Sequence, residues 1–190
     1  MEALEQKILN EGTVLSGDVL KVGSFLNQQL DIDFLMEMGK EVDRIYRGEE
    51  ITKILTIEAS GIAVAVAVAA VMHKKVVFAK KNKTSNVSGE VYSAKVHSFT
   101  HGTDYLVTVP KDYIGSNDKI LIVDDFLANG KALMGLIDIV NQADAKVVGC
   151  TCAIEKGFQG GGDLLREKGY RIESLAVIEK MSPEKIEFRR

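Results

Sequence analysis

Two adjacent acids, Asp124 and Asp125, are the residues that most clearly indicate chemistry. They follow the apolar run 119–123 and begin a loop that ends at Gly130, before a helical pattern over Lys131–Gln142. Ligands of open α/β sheets bind beyond the carboxyl ends of strands, and a helix start offers unpaired N–H groups and a positive dipole end. We therefore expect a phosphate on the loop, with the carboxylates accepting hydrogen bonds from ribose hydroxyls or holding magnesium through water. Receiver domains and nucleotide hydrolases also carry paired acids after a strand, so the acids alone leave those classes open.

A second strand-to-helix turn carries Glu58-Ala59-Ser60-Gly61. Its small residues let the backbone turn toward a ligand, and amides at a helix start suit a pyrophosphate. Taken alone, these four residues favour an ordinary turn in which Ser60 is the N-cap. Lys80 and Lys81 end the next strand, and each is either an anion contact or a solvated strand end.

Both turns belong to strand-helix-strand units. The first unit combines strands over 54–57 and 76–78 with an apolar helix over 61–72, and the second combines strands over 119–123 and 147–154 with its own helix. Continuous apolar strands are typical of a parallel sheet buried on both faces. The sequence therefore predicts an α/β fold with a twisted, mostly parallel sheet flanked by helices.

Three further helices are predicted outside these units. The first covers residues 1–10, the second runs from an N-cap at Asp31 or Asp33 to about residue 47, and the third covers 164–168. A further strand is predicted over 172–178. Residues 80–103 are polar and lysine-rich, which is typical of a long mobile hairpin, and long loops in compact domains are often active-site lids. A single domain over residues 1–190 is expected.

The composition excludes several classes of protein. A net charge of −3 over 190 residues disfavours sequence-independent nucleic-acid binding. The apolar run 61–72 is shorter than the roughly 20 residues that a membrane-spanning helix needs, so no membrane partner is expected. Cys150 and Cys152 have the spacing of one strand face, which indicates core thiols and a reducing cytoplasm.

The ten residues Val123-Asp124-Asp125-Phe126-Leu127-Ala128-Asn129-Gly130-Lys131-Ala132 resemble the signature with which type I phosphoribosyltransferases bind phosphoribosyl pyrophosphate (PRPP). The form Ala-Asn-Gly-x-Ala is similar to that of the bacterial xanthine phosphoribosyltransferase family, and the resemblance covers essentially the whole chain. It implies that the loop of Ala128, Asn129, Gly130, Lys131 and Ala132 wraps the 5-phosphate and that Asp124 and Asp125 take the ribose hydroxyls at the catalytic centre.

The resemblance also assigns roles to the second turn and its surroundings. It implies a pyrophosphate loop at Ser60, a pyrophosphate contact at Lys81 and a closing lid over about 80–103. Two positions depart from the family pattern: Lys131 stands where Gln or a small residue is expected, and Lys80 replaces an Arg, which keeps the charge but loses bidentate geometry.

Base recognition is expected in a hood formed by the two ends of the chain, over about 1–34 and 155–190, with the core over about 35–154. Lys156 lies just past a strand end near Phe158, where a cation that donates a hydrogen bond favours 6-oxopurines and steadies anionic xanthine. By resemblance, Leu20, Asn27 and Lys156 contact xanthine, and Phe158 beside Lys156 is expected to bind the base as well. Simple packing is the alternative for Leu20, a hood-core position for Phe158 and a surface charge for Lys156.

The resemblance implies transfer of ribose 5-phosphate from PRPP to xanthine, with Mg²⁺ held mainly by PRPP rather than directly by the protein, in a cytoplasmic homodimer. A PRPP-sensing regulator of the same fold is the alternative from another class, although a DNA-binding one would need an added basic helical module. A preference for guanine or hypoxanthine is the alternative among transferases.

Overall fold

The computed structural model describes residues 1–15, 18–82, 90–98 and 103–190. Five α-helices, a π-type turn over Gly23–Asn27 and 3-10 turns over Lys111–Tyr113 and Gly157–Gln159 lie in this part of the chain. The helices are α1 (Glu2–Glu11), α2 (Ile32–Ile45), α3 (Gly61–Met72), α4 (Lys131–Gln142) and α5 (Gly161–Glu167). No helix among the described residues is long and apolar enough to cross a membrane.

Ten strands complete the architecture. They are β1 (Thr13–Val14), β2 (Leu20–Lys21), β3 (Lys53–Ile57), β4 (Lys75–Asn82), β5 (Val91–Ser98), β6 (Thr103–Pro110), β7 (Lys119–Leu127), β8 (Lys146–Lys156), β9 (Ile172–Met181) and β10 (Ile186–Phe188). Strands β1 and β2 form a small antiparallel ribbon, and the other eight form one sheet in the order β10-β9-β8-β7-β3-β4-β6-β5. The central strands β9, β8, β7, β3 and β4 are parallel, which confirms the predicted fold class.

Helices cover both faces of the sheet. Helices α2 and α3 bury one face through side chains such as Met38 and Val68, and α4 buries the other through side chains such as Leu136. Cys150 and Cys152 are buried in the second of these cores as free thiols, which confirms their prediction as core residues.

The predicted start of α2 is confirmed at Asp31. Its Oδ1 accepts a hydrogen bond from Phe34 N at 3.1 Å, which satisfies one of the unpaired amides of the first turn. Asp33, the other candidate, lies inside that turn.

Several element bounds differ from those predicted, and two of the differences concern the central sheet. Strand β7 continues to Leu127, not Val123, because its pairing with β8 extends to Leu127 opposite Glu155. Strand β9 pairs with β8 in the main sheet, so residues 172–181 belong to the sheet although the sequence assigned them to the hood. The two chain ends do meet: Arg190 Nη1 donates to Glu5 Oε2 at 2.7 Å.

The segment predicted as a mobile lid contributes strands to the sheet. Strand β4 runs to Asn82, and β5 pairs antiparallel with β6, with Ala94 and Val96 buried. Val96 packs on α4, where a Cβ added to Gly135 would lie 2.6 Å from its Cγ2. Residues 83–89 and 99–102 lie outside the described residues, and closure of the segment stays a prediction.

Candidate functional site

The paired acids lie at the carboxyl end of β7, in the middle of the sheet. Asp124 is 5% exposed and Asp125 is 7% exposed. Asp124 Oδ1 accepts a hydrogen bond from Asp125 N at 2.9 Å. Burial raises the pKa of Asp124 well above its ordinary value, the neighbouring Asp125 raises it further, and Lys81 opposes the shift. Such buried acids can accept hydrogen bonds from ligand hydroxyls in a setting with little competing water.

The loop after β7 is only three residues long, Ala128 to Gly130, and leads directly into α4. Gly130 adopts φ +80°, a left-handed conformation that suits glycine. Asn129 Oδ1 accepts from Lys131 N at 3.0 Å, so one amide of the first helical turn is capped within the loop. The remaining amides of that turn and the helix dipole could together stabilise an anion, and the phosphate site expected at this loop stays a prediction.

Glycines that follow β8 pack beneath this loop. Gly161 N donates to Ala128 O at 3.2 Å, and a Cβ at Gly161 would lie 2.4 Å from Gly130 N. The sequence shows the cluster of Gly160 to Gly162, but nothing in its local pattern indicates that it contacts a loop 30 residues earlier.

The second turn lies beside the acid pair because β3 and β7 are adjacent and parallel. A Cβ added to Gly61 would lie 2.7 Å from Asp124 Oδ1 and 2.4 Å from Thr56 Oγ1, so only glycine allows this close approach. Ser60 is the N-cap residue of α3, but its side chain makes no capping hydrogen bond. The ordinary N-cap role considered for Ser60 is therefore absent.

The end of β4 brings one of the two lysines to the site. Glu58 N donates to Ala79 O at 3.1 Å, and Glu58 Oε1 accepts from Lys81 N at 2.5 Å, which ties the second turn to β4. Side chains alternate along a strand, so Lys80 and Lys81 point to opposite faces. Lys81, whose charge acts on Asp124, is the lysine of the pair on the site side.

Sequence reasoning missed Tyr105 on β6. Lys81 Nζ lies 5.2 Å from the centroid of the Tyr105 ring, within the range of a cation–π contact. Burial and the charge of Asp124 raise the pKa of Tyr105. The antiparallel pairing of β4 with β6, which the sequence did not predict, brings Tyr105 there.

The hood contributes Asn27 to the edge of the same site. Asn27 ends the π-type turn and, with Ala59 and Ser60, lines a cleft of about 280 Å³. The structure thus brings a predicted base contact together with the predicted pyrophosphate loop. Leu20 is 7% exposed and belongs to the main core cluster, which agrees with its alternative reading as a packing residue.

Lys156 ends β8 and points toward β7. Its Nζ donates to the backbone oxygen of Asp18 and lies 5.6 Å from the centroid of the Phe126 ring. Burial lowers the pKa of Lys156, while Asp18 opposes the shift. The surface-charge alternative for Lys156 therefore does not describe its environment.

Two phenylalanines lie near Lys156. Phe158 follows it in the chain, and the Phe126 ring lies close to it in space. Phe158 is 37% exposed in the turn that follows Lys156, so it is not a hood-core residue. Phe126 was missed because its position after two acids gives no hint that the strand continues through it.

Comparison with known proteins shows the family of the chain. Residues 25–172 match the family model described as the phosphoribosyl transferase domain. The chain is 50% identical over 188 residues to a xanthine phosphoribosyltransferase of Ruminiclostridium cellulolyticum, covering 99% of each chain. It is also 50% identical over 190 residues to a xanthine phosphoribosyltransferase of Clostridioides difficile, covering 100% of each.

Solved structures share the fold at low sequence identity. The Giardia lamblia APRTase complexed with 9-deazaadenine superposes with a TM-score of 0.77 at 21% identity, covering 94% of this chain and 98% of its own. The Trypanosoma brucei adenine phosphoribosyl transferase in complex with AMP, pyrophosphate and ribose-5-phosphate gives 0.76 at 17% identity, covering 92% and 78%. From the family match and the full-length relatives, the chain belongs to the phosphoribosyltransferase family.

Proposed function

We propose that the protein is a xanthine phosphoribosyltransferase, which converts xanthine and PRPP to xanthosine 5'-monophosphate and pyrophosphate in purine salvage. The observation that carries the proposal is the buried Asp124–Asp125 pair leading directly into a glycine-containing loop at the start of α4. The names of the full-length relatives support xanthine as the base.

In this proposal the three parts of PRPP bind to three parts of the site. The loop and first turn from Ala128 to Ala132 hold the 5-phosphate, and Asp124 and Asp125 accept hydrogen bonds from the ribose hydroxyls. Ser60 and Lys81 contact the pyrophosphate. The close approach of Gly61 to Asp124 supports this assignment, because the turn proposed to bind pyrophosphate lies directly beside an acid proposed to meet the ribose.

The reaction is a displacement at C1 of the ribose. The bond from C1 to the pyrophosphate oxygen breaks with its electron pair leaving on pyrophosphate, a purine nitrogen forms the new bond to C1, and the nitrogen's proton passes to solvent. The site positions the two reactants and stabilises charge, and both effects lower the barrier without a covalent intermediate.

Magnesium suits the acids at this site. It commonly binds through one or two carboxylates together with waters and substrate phosphates, and Asp124 and Asp125 would hold it through water beside the pyrophosphate. When bound, it neutralises the charge of the leaving pyrophosphate.

Lys156 is proposed to select the base. Its ammonium group, held between the residue 18 backbone and the Phe126 ring, can donate a hydrogen bond to a purine oxygen and attract the xanthine anion. Asn27 reaches the base from the cleft that it shares with Ser60, and Leu20 and Phe158 supply apolar contact.

A homodimer in the cytoplasm completes the proposal. Val66 on α3 and Phe78 on β4 are exposed apolar side chains, which a partner subunit could cover. The free, buried Cys150 and Cys152 suit a reducing compartment.

The test is nucleotide formation by the purified protein with PRPP and Mg²⁺, with xanthine, guanine, hypoxanthine, adenine and orotate supplied separately. We expect xanthine to give the highest kcat/KM and Lys156→Ala to lower it at least tenfold while PRPP binding is retained. The exposed Lys40 on α2 provides the control variant Lys40→Ala, which should match the wild type. PRPP binding without reaction of any base would instead identify a PRPP-sensing protein, and higher activity with guanine or hypoxanthine would reassign the substrate.

A further inference from the structure

The start of α5 packs beneath the loop Ala128–Gly130, which is proposed to bind the 5-phosphate and is called here the phosphate loop. The start of α5 is thus a second layer of backbone that supports this loop. Gly161 N donates to Ala128 O at 3.2 Å. A Cβ added to Gly161 would lie 2.3 Å from Ala128 O and 2.4 Å from both Asn129 C and Gly130 N. The contact is therefore backbone on backbone, and no side chain fits between the two segments.

An ion pair between a buried carboxylate and a partly exposed arginine holds α5 against the sheet. Glu155 on β8 is completely buried, and Arg166 on α5 binds it with two hydrogen bonds, Nη1 to Oε1 at 2.9 Å and Nη2 to Oε2 at 2.7 Å. Ser174 Oγ on β9 donates to Glu155 Oε2 at 2.5 Å. Two parallel hydrogen bonds fix both distance and orientation, so this pair defines where α5 lies.

Gly162, the next residue of α5, also has no room for a side chain, because it lies against the Glu155–Arg166 ion pair. A Cβ added to Gly162 would lie 2.0 Å from Glu155 Oε1 and 2.8 Å from Arg166 Nη1. Gly161 thus meets the phosphate loop on one side of the helix start, and Gly162 meets the ion pair on the other.

We propose that Gly161 is a positioning residue for the 5-phosphate site, held in place by the Glu155–Arg166 ion pair. The proposal rests on the proposed function, since it assumes that the Ala128–Gly130 loop binds the phosphate of PRPP. A rigid layer keeps the loop amides in their binding geometry before the ligand arrives, and a shift of about 1 Å in such a group weakens binding or catalysis markedly.

The layer supports one half of the substrate site and leaves the other half untouched. Gly161 contacts the loop after β7, whereas the proposed pyrophosphate residues Ser60 and Lys81 are held by α3 and β4. Damage to the layer should therefore weaken the binding of ribose 5-phosphate and of PRPP but not that of pyrophosphate.

The experiment measures binding of ribose 5-phosphate, PRPP and pyrophosphate, the last two with Mg²⁺, to the full chain by calorimetry, together with steady-state kinetics. For Gly161→Ala we expect at least tenfold weaker binding of ribose 5-phosphate and at least a tenfold higher KM for PRPP. Pyrophosphate binding should stay within twofold, and kcat at saturating PRPP within threefold. Gly115→Ala is the matched control, because a Cβ there meets nothing within 4 Å.

Glu155→Gln keeps the inference testable if Gly161→Ala does not fold. It preserves volume, removes the negative charge and replaces one accepting oxygen with an amide donor, so at least one hydrogen bond from Arg166 or Ser174 is lost. We expect at least threefold weaker ribose 5-phosphate binding with pyrophosphate binding unchanged. Ribose 5-phosphate affinity within twofold of wild type, or an equal loss for pyrophosphate, overturns the inference. A wild-type protein that binds neither ribose 5-phosphate nor PRPP overturns the proposed function itself.

Discussion

The contact between Gly61 and Asp124 predicts that Gly61→Ala damages stability and PRPP use together. The added Cβ would lie 2.4 Å from Thr56 Oγ1 and 2.7 Å from Asp124 Oδ1, both below any normal contact. Thr56 and Asp124 are buried, so neither can move into solvent to relieve the overlap. Overpacking of this kind costs about 1–3 kcal/mol, and the close contacts place this site near the upper end.

Alanine is favoured over glycine by about 1 kcal/mol in a helix interior and by less at the first helical position, so at Gly61 it offsets only part of the cost. The net loss in the free energy of unfolding is then about 2 kcal/mol. In a chain of this size each kcal/mol lowers Tm by about 2–4 °C, so a decrease of about 4–8 °C is expected.

The assays are calorimetric unfolding without ligands and initial rates with varied PRPP. We expect kcat/KM for PRPP to fall at least tenfold, because Asp124 must move away from the position in which it is proposed to meet the ribose. Gly115→Ala should leave both quantities as in the wild type, since it creates no overlap. If Gly61→Ala retains the wild-type Tm and kcat/KM, the close approach of Gly61 to Asp124 does not determine the geometry of the site.

Two further predictions concern buried ionisable groups. Because burial raises the pKa of Asp124, the folded state holds this proton more tightly than the unfolded chain, and stability is lost as pH rises through the folded pKa. Asp124→Asn should therefore raise Tm relative to wild type more at pH 8 than at pH 4, yet lower kcat/KM at least 100-fold; equal Tm differences at the two pH values would contradict this. Burial raises the pKa of Cys150 to about 12 and also raises that of Cys152, so neither thiol should react with Ellman's reagent at pH 8 until the protein is unfolded. Rapid reaction of the native protein would show that this core opens.

The elements that the sequence predicts well are those whose signal is local. Strand β3 and the start of β7 read as apolar runs, and α2 carries both an apolar stripe and an Asp31 cap that the structure confirms. The ten residues from Val123 are equally informative. A strand end, two acids and a glycine before a helix together predict a single ligand-binding turn.

The features that the sequence did not predict depend on partners far along the chain. Aspartate disfavours strands, so the acids suggested that β7 ends at Val123; pairing with β8 carries the strand on to Leu127 instead. Strand β9 gives a clear strand pattern, but only its pairing with β8 places it in the main sheet. Tyr105 reaches the site for the same reason, through the pairing of β4 with β6.

The buried acids Asp124, near the end of β7, and Glu155, near the end of β8, differ in how fully the fold pairs them. Glu155 is fully paired by Arg166 and Ser174, so both of its carboxylate oxygens are committed to the fold. Asp124 accepts one bond from its neighbour's amide and lies beside another acid, which makes its ionisation costly. A buried carboxyl group that is hard to ionise does not stabilise the fold, whereas a ligand that donates hydrogen bonds to the carboxylate lowers the cost of ionising it on binding. The two acids are one strand apart and similarly buried, and their partners rather than their burial favour Asp124 as the acid proposed to meet substrate.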